Sequence, residues 1–404
     1  AGCGSGADAA NAPPDSGLVK ATQDAGLVDQ IAADAPGRDG ASGASQLALG
    51  TNVSCLVSGG VAKCWGSNST GMLGDGTTTD RSRPTAVVGL GPVTFVSPRQ
   101  SYTCALLASG AIDCWGSGSH GSLGDGTTSD SATPVGVLGI TSAVGLATGP
   151  VGSHSCAILV NSEVSCWGLD SSYQLVSGDL RAVDATQPVV GELTGAMKVV
   201  VGSDHTCGLR PDGFVLCGGG NGHSETGGGI GATGSNFAGA HLEPYLGSSV
   251  DIAAGYNYTC VVLTDGTAEC WGDDSYSELG DGRLVGSADG GGIAPQAWPT
   301  QVVGLSNAVK IVAGVMHTCA LLADGTVSCW GTNAYGQIGD GRIGERVGPT
   351  PVVGLSGVKQ IAVGWMHTCA LLEDESVECW GDNTFGELGD GTTTSRLVPT
   401  RVQF

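Results

Sequence analysis

Fourteen of the fifteen cysteines in this 404-residue chain form seven pairs that recur about every fifty residues. The pairs are Cys55 with Cys64, Cys104 with Cys114, Cys156 with Cys166, Cys207 with Cys217, Cys260 with Cys270, Cys319 with Cys329, and Cys369 with Cys379. The clearest copies read HTCALLADGTVSCWG from His317 and HTCALLEDESVECWG from His367. A unit copied this regularly is one supersecondary element that buries a core only by stacking on its neighbours. The pairs therefore constrain the fold class before any other feature does.

Two residues of a hairpin face each other when they lie symmetrically about its turn. Six pairs are ten positions apart, which centres each on a three-residue loop, and in four copies that loop ends in glycine: Gly110, Gly213, Gly266 and Gly325. The third position of such a loop favours the left-handed region, where glycine carries no Cβ penalty. Ser162 and Glu375 take that place in the other two copies. The pair of Cys55 and Cys64 is one residue closer and turns on Gly59-Gly60. Spacing and turn length change together, as they must if both cysteines face across one antiparallel ladder. Directly opposed Cα atoms lie roughly 4.5–5.5 Å apart, within disulfide reach. Free buried thiols and zinc ligation are the alternatives, although neither the spacing nor the seven histidines suit a zinc knuckle. As disulfides, each bridge closes a ten-residue loop worth about 2–3 kcal/mol. Seven of them require an oxidising compartment, so the protein is expected to be exported.

The charge narrows the partners. A formal net charge of −22 is ill suited to nucleic acid or anionic lipid, whose phosphates demand Lys and Arg. No apolar run approaches the ~18–20 residues of a membrane span. Residues 1–43 are rich in Ala, Gly, Asp, Ser and Pro and hold few large apolar side chains, so they read as a flexible, disordered acidic spacer. Residues 44–404 carry the repeat. Its best example, PTPVVGLSGVKQIAVGWMHTCALLEDESVECWGDNTFGELGDG from Pro349, strings β-branched runs between turn residues. Short strands, glycine turns and a period near fifty point to propeller blades. The PTxV element precedes every copy but the first, and an extra VPTRVQF ends the chain at Phe404. In a ring, this last strand is expected to complete the blade begun near residue 46, which would remove two sheet edges. The expected fold is all-β: a seven-bladed propeller closed by the C-terminal strand, with one disulfide per blade.

The pattern G-x-x-H-T-x-A-L, then W-G-x-N-x-x-G-Q-L-G-x-G, resembles the regulator of chromosome condensation repeat, with NAYGQIGDG (from Asn333) and NTFGELGDG (from Asn383) as close matches. The resemblance spans about 46–404, implies a seven-bladed β-propeller, and suits an exported bacterial type that bears disulfides. Copy three lacks L-G-D-G, and copy four reads LCGGG where the others read CWG. Nuclear members act on a small GTPase and on chromatin, a role that acidity and disulfides disfavour here.

Candidate chemistry is sparse. His154, His205, His317 and His367 all precede a first cysteine by two residues, a register that implies a repeated hydrogen-bonding role in the core rather than catalysis. Trp65, Trp115, Trp167, Trp271, Trp330 and Trp380 are expected to pack between blades. Asp75, Asp125, Asp281, Asp340 and Asp390 of the L-G-D-G loops read as turn formers, with calcium as the alternative. Two insertions break the repeat at one stage. The first carries His223, Glu225, Asn236, Phe237 and His241, and the second carries Arg283 and Asp289. They should emerge on one face and are the candidate binding loops, with a metal site from His223, Glu225 and His241 as a further option. Ala1-Gly2-Cys3 matches the end of a bacterial lipoprotein processing site, which makes Cys3 the expected lipid attachment point. These features suggest a non-catalytic, exported, surface-tethered scaffold for an extracellular protein or polysaccharide, with no cofactor. An inhibitor propeller, resembling the bacterial β-lactamase inhibitory protein of similar architecture, and an enzyme seated in the insertions are the alternatives.

Overall fold

The computed structural model describes residues 45–147, 149–179, 184–228, 237–242 (backbone only), 246, 248–283 and 295–404. Cys3 and the 1–43 segment lie outside them. Seven four-stranded antiparallel sheets follow one another along the chain. The first blade comprises β1 (Gln46–Leu49), β2 (Val53–Ser58), β3 (Val61–Gly66) and β4 (Arg81–Ala86). Strands β5–β8 span 93–136, β9–β12 span 143–190, β13–β16 span 198–242, β17–β20 span 249–301, β21–β24 span 308–351 and β25–β28 span 358–401. The divergent third and fourth copies are complete blades. No helix among the described residues is long and apolar enough to cross a membrane.

The cysteines sit where their spacing places them, each pair directly opposed across the second and third strands of its blade. Disulfides join Cys55 to Cys64, Cys104 to Cys114, Cys156 to Cys166 and Cys207 to Cys217 in the first four blades. In the last three they join Cys260 to Cys270, Cys319 to Cys329 and Cys369 to Cys379. The paired Cα atoms lie 4.0–4.1 Å apart, closer than the 4.5–5.5 Å expected from ladder geometry. Leu107 N–H donates to Ala111 across one such hairpin at 2.9 Å. Counting back along the alternating ladder puts Cys104 and Cys114 at a non-hydrogen-bonded position, where side chains approach most closely. Ser162 (φ 66°) and Glu375 (φ 63°) adopt the left-handed conformation that glycine takes in the sister turns.

Blades are joined by a repeated set of contacts. The indole of each repeat-register tryptophan is fully buried, and its Nε1–H donates to a loop carbonyl of the preceding blade. Trp115 reaches Met72, Trp167 reaches Ser122, Trp271 reaches Glu225, Trp330 reaches Glu278 and Trp380 reaches Gln337, at 2.8–3.0 Å. At roughly 150–250 Å² per ring and about 25 cal/mol per Å², each indole contributes at most about 4–6 kcal/mol of apolar burial. The histidines bond forward to a hydroxyl of the next blade: His154 to Thr206, His205 to Thr259 and His317 to Thr368, at 2.8–2.9 Å. Tyr102 and Tyr258 do the same through their phenols, to Ser155 and Thr318. The first blade has Val53 in this register and offers no such bond. Burial pushes the imidazoles down, to about 3 for His205 and His367 and about 4 for His317, so they stand neutral near pH 7.

One expectation about closure is corrected. The last strand, β28 (Arg396–Arg401), pairs with β27 (Val377–Gly381) and is the outer strand of the seventh blade, while the first blade is complete by itself. The PTxV element therefore ends a blade instead of beginning one. The ring closes by packing between blades seven and one. Gln360 accepts from Leu47 N–H and donates to Leu47 O, Trp65 donates to Glu387 O at 2.8 Å, and His367 meets Ser54 at 3.1 Å. The chain end does reach the first blade, with Phe404 edge-on to Trp65.

Candidate binding face and its pocket

Antiparallel order sends the loops between first and second strands, and those between third and fourth, to one face of the ring. Both insertions leave from third-to-fourth loops, and the described residues that open them, up to Gly228 and Arg283, lie at this end of the blades. Four of the seven exposed aromatic side chains among the described residues stand here, each 39–46% exposed: Tyr256 and Trp365 on first-to-second loops, Tyr276 and Tyr335 on third-to-fourth loops. They occupy blades five to seven. Phe385 lies half-buried at the position equivalent to Tyr276 and Tyr335.

The aspartates of the L-G-D-G loops act as turn formers. Thr77, Thr127, Arg283, Arg342 and Thr392 donate their backbone N–H to Asp75, Asp125, Asp281, Asp340 and Asp390, at 2.9–3.1 Å. Arg81, Arg346 and Arg396 close on Asp75, Asp340 and Asp390 at 2.5–2.7 Å. Burial pushes the Asp75 and Asp390 carboxyls up, but hydrogen bonds from Thr77 and Arg81, and from Thr392 and Arg396, outweigh it and hold both below the usual range. Asn383 braces its loop, donating to Asp390, Thr392 and Thr394 and accepting from Leu388 N–H. Among the described residues no three His, Cys, Asp or Glu side chains converge as a metal site would need.

The first-insertion candidates separate. His223 and Glu225 line a pocket of about 240 Å³ together with Ser172, Asp204, Gly220, Gly222, Tyr256 and Asn257. Phe237 and His241 belong to β16 (Phe237–Leu242), opposite Gly219 and Cys217. Asn236 and Asp289 lie outside the described residues. Arg283 pairs with Asp281 at 3.1 Å and does not reach this pocket. Glu225 is also a repeat position. It accepts His223 N–H at 2.7 Å just as Glu278 accepts from Tyr276, Gln337 from Tyr335 and Glu387 from Phe385. The run NGHSETG is thus the fourth copy of NTFGELG, and Ser224 (φ 66°) stands where Gly386 (φ 81°) does. Asp204 and Tyr256 were not singled out in the sequence, because each sits in a short turn beside the repeat's strongest motif. Burial raises the carboxyls of both Asp204 and Glu225, with the nearby His223 opposing.

A larger cavity of about 810 Å³ is lined by the inner strands of all seven blades. Its walls are largely apolar, crossed by the Lys198–Asp251 pair at 2.5 Å. Asp251 also accepts Ile311 N–H, as Gln46 accepts Val96 N–H, so these polar groups tie inner strands together.

The regulator of chromosome condensation (RCC1) repeat models match residues 250–278, 308–337 and 358–387, and residues 324–371 and 376–404. The ultraviolet-B receptor UVR8 of Arabidopsis thaliana is 29% identical over 293 residues, covering 71% of this chain and 64% of the receptor. Protein pim1 of Schizosaccharomyces pombe is 29% identical over 212 residues, 48% of this chain and 38% of pim1. The chain thus spans less than two thirds of either relative's length. Yeast RCC1 (Prp20), solved bound to Kap60, superimposes with a TM-score of 0.73 at 20% identity, over 90% of this chain and 86% of that one. Human WBSCR16 gives 0.71 at 19% identity, over 84% and 93%. At these identities the structural likeness is one of fold. The repeat models match within residues 250–404 and the architecture extends over the rest of the described chain: the protein is a seven-bladed β-propeller whose C-terminal blades match the regulator of chromosome condensation repeat.

Proposed function

We propose that the protein is a non-catalytic scaffold, exported and tethered at the cell surface, that binds a protein partner through the loop face bearing Tyr256, Tyr276, Tyr335 and Trp365. The observation that carries this reading is the gathering of exposed aromatics on one face of a cystine-stapled ring. Aromatic side chains are the usual anchors of protein interfaces. A rigid ring presents them with little ordering cost. The solved complex of yeast RCC1 (Prp20) with Kap60 supports protein binding as a use of this fold. The histidines are engaged with hydroxyls of neighbouring blades, which supports a role other than catalysis for them. Seven cystines suit an oxidising location, and an acidic protein suits a partner with basic groups.

The test compares two variants of the full chain. One replaces Tyr256, Tyr335 and Trp365 by serine, and the other replaces the exposed Val61, Val160 and Val309, which lie at the opposite ends of their strands. Affinity capture from a surface extract of the producing cell, with quantitative mass spectrometry, should recover a stoichiometric protein with wild type and the valine variant but not with the aromatic variant. Retention of every protein by the aromatic variant would refute the reading. Recovery of polysaccharide alone would replace the partner class.

A further inference from the structure

The seven repeats serve as controls for one another, and in the fourth blade their departures coincide in space. In every blade the residue after the third strand bonds through its backbone N–H to the first-to-second turn. Ser67 bonds to Asn52, Ser117 to Ser101, Leu169 to Ser153, Asp273 to Asn257, Thr332 to Met316 and Asp382 to Met366, at 2.8–2.9 Å. In the fourth blade the same bond joins Gly220 to Asp204. Here alone the strand side contributes no side chain and the turn side contributes a carboxylate. A Cβ at Gly220 would stand 3.0 Å from the Asp204 Cβ and 3.3 Å from Glu225 Oε1, so the missing side chain opens the space between two acids. That space is the 240 Å³ pocket.

Its floor is poised for a ligand. Glu225 is only 3% exposed. One of its oxygens holds His223 N–H, and Oε1, facing the space left by Gly220, has no hydrogen-bond partner among the described residues. The Asp204 carboxylate likewise has none, and no Lys or Arg of the described residues pairs with either acid. Glu225 is buried and Asp204 half-buried, a costly placement for two carboxylates that the nearby His223 offsets only in part and that a cation supplying donors relieves. Tyr256 at the rim offers an aromatic face, which also attracts cations.

We propose that this pocket receives one cationic side chain, the ammonium of a lysine or the guanidinium of an arginine, carried by the protein partner. This assignment rests on the scaffold reading above. The chain's net charge of −22 favours approach of a basic partner segment. The pocket then fixes its register by seating one long side chain between Asp204 and Glu225.

The experiment titrates the full chain at pH 7.5 with N-acetyl-arginine amide, and with N-acetyl-citrulline amide, its neutral isostere, by calorimetry or NMR. The arginine probe should bind with Kd around 1 mM and the citrulline probe at least about tenfold more weakly. Asp204→Asn with Glu225→Gln should remove the preference. The second change is safe for folding because Gln174 and Gln337 already occupy that position. Gly220→Ser, which restores the residue found at Ser67 and Ser117, should weaken the arginine probe with both charges kept. Equal binding of the two probes, or full binding by the Asp204→Asn/Glu225→Gln variant, would overturn the pocket. If that variant loses the probe yet captures the partner undiminished, the partner-borne side chain is overturned while the scaffold reading survives. If the probe behaves as expected but the aromatic variant above captures normally, the scaffold reading fails instead.

Discussion

Replacing Glu387 by glutamine should stabilise the protein at alkaline pH and not at acid pH. The Glu387 side chain is fully buried where blades seven and one meet. Oε2 accepts Phe385 N–H at 2.8 Å, but Oε1 has no partner among the described residues. Burial raises this carboxyl from 4.5 to about 7. At 1.36 kcal/mol per unit, that displacement costs the folded state about 3 kcal/mol once the group is ionised. Below pH 4.5 the group is protonated in both folded and unfolded chains and the cost is absent. It grows as pH rises from 4.5 to about 7 and levels off above that, because only between the two values does the unfolded chain ionise while the folded one stays protonated. Glutamine removes the charge but leaves an amide N–H₂ facing the unpartnered site, at a cost of about 1 kcal/mol. Urea unfolding with disulfides intact should therefore show the variant about 2 kcal/mol more stable than wild type at pH 8.5. At pH 4 it should be about 1 kcal/mol less stable. The four buried histidines titrate equally in both proteins and cancel in the difference. A stability difference that does not change with pH would refute the reasoning.

Ser162→Gly should raise stability by about 1 kcal/mol, read as a higher Tm, because Ser162 holds φ 66° where four sister turns carry glycine. Asn383→Ala should cost about 2–3 kcal/mol in the same assay, since the buried amide braces Asp390, Thr392, Thr394 and Leu388 together. Alkylation of the natively produced protein without reductant should leave all seven cysteine pairs unmodified. After reduction, fourteen labels should be added to them. Labelling of the pairs before reduction would contradict export.

The number of blades and the cystine hairpins were legible because both are local. Pair spacing and turn length report on one ladder, and period counts the copies. Closure was not legible, since PTxV lies between two repeats and the sequence alone permits it to end one blade or begin the next. Only the pairing of β28 with β27 decides this. The roles of the repeated histidines and tryptophans followed from register, although their partners lie about fifty residues away and could not be named. The first-insertion candidates scattered for a different reason. His223 and Glu225 are a fourth copy of a loop whose glycine and leucine were replaced by Ser224 and Thr226, which hid the match. A comparison of NGHSETG with NTFGELG would have found it. Asp204, Gly220 and Tyr256 come together from three turns, and their only sequence signal is departure from sister positions.

The most direct test of the scaffold places a benzophenone amino acid at Tyr335, at Trp365 or at Val160 of the full chain and irradiates the living producing cell. Adducts with one protein from Tyr335 and Trp365, and none from Val160, are the predicted result. Adducts from Val160 alone, or equally from all three positions, would contradict a partner held on the aromatic face.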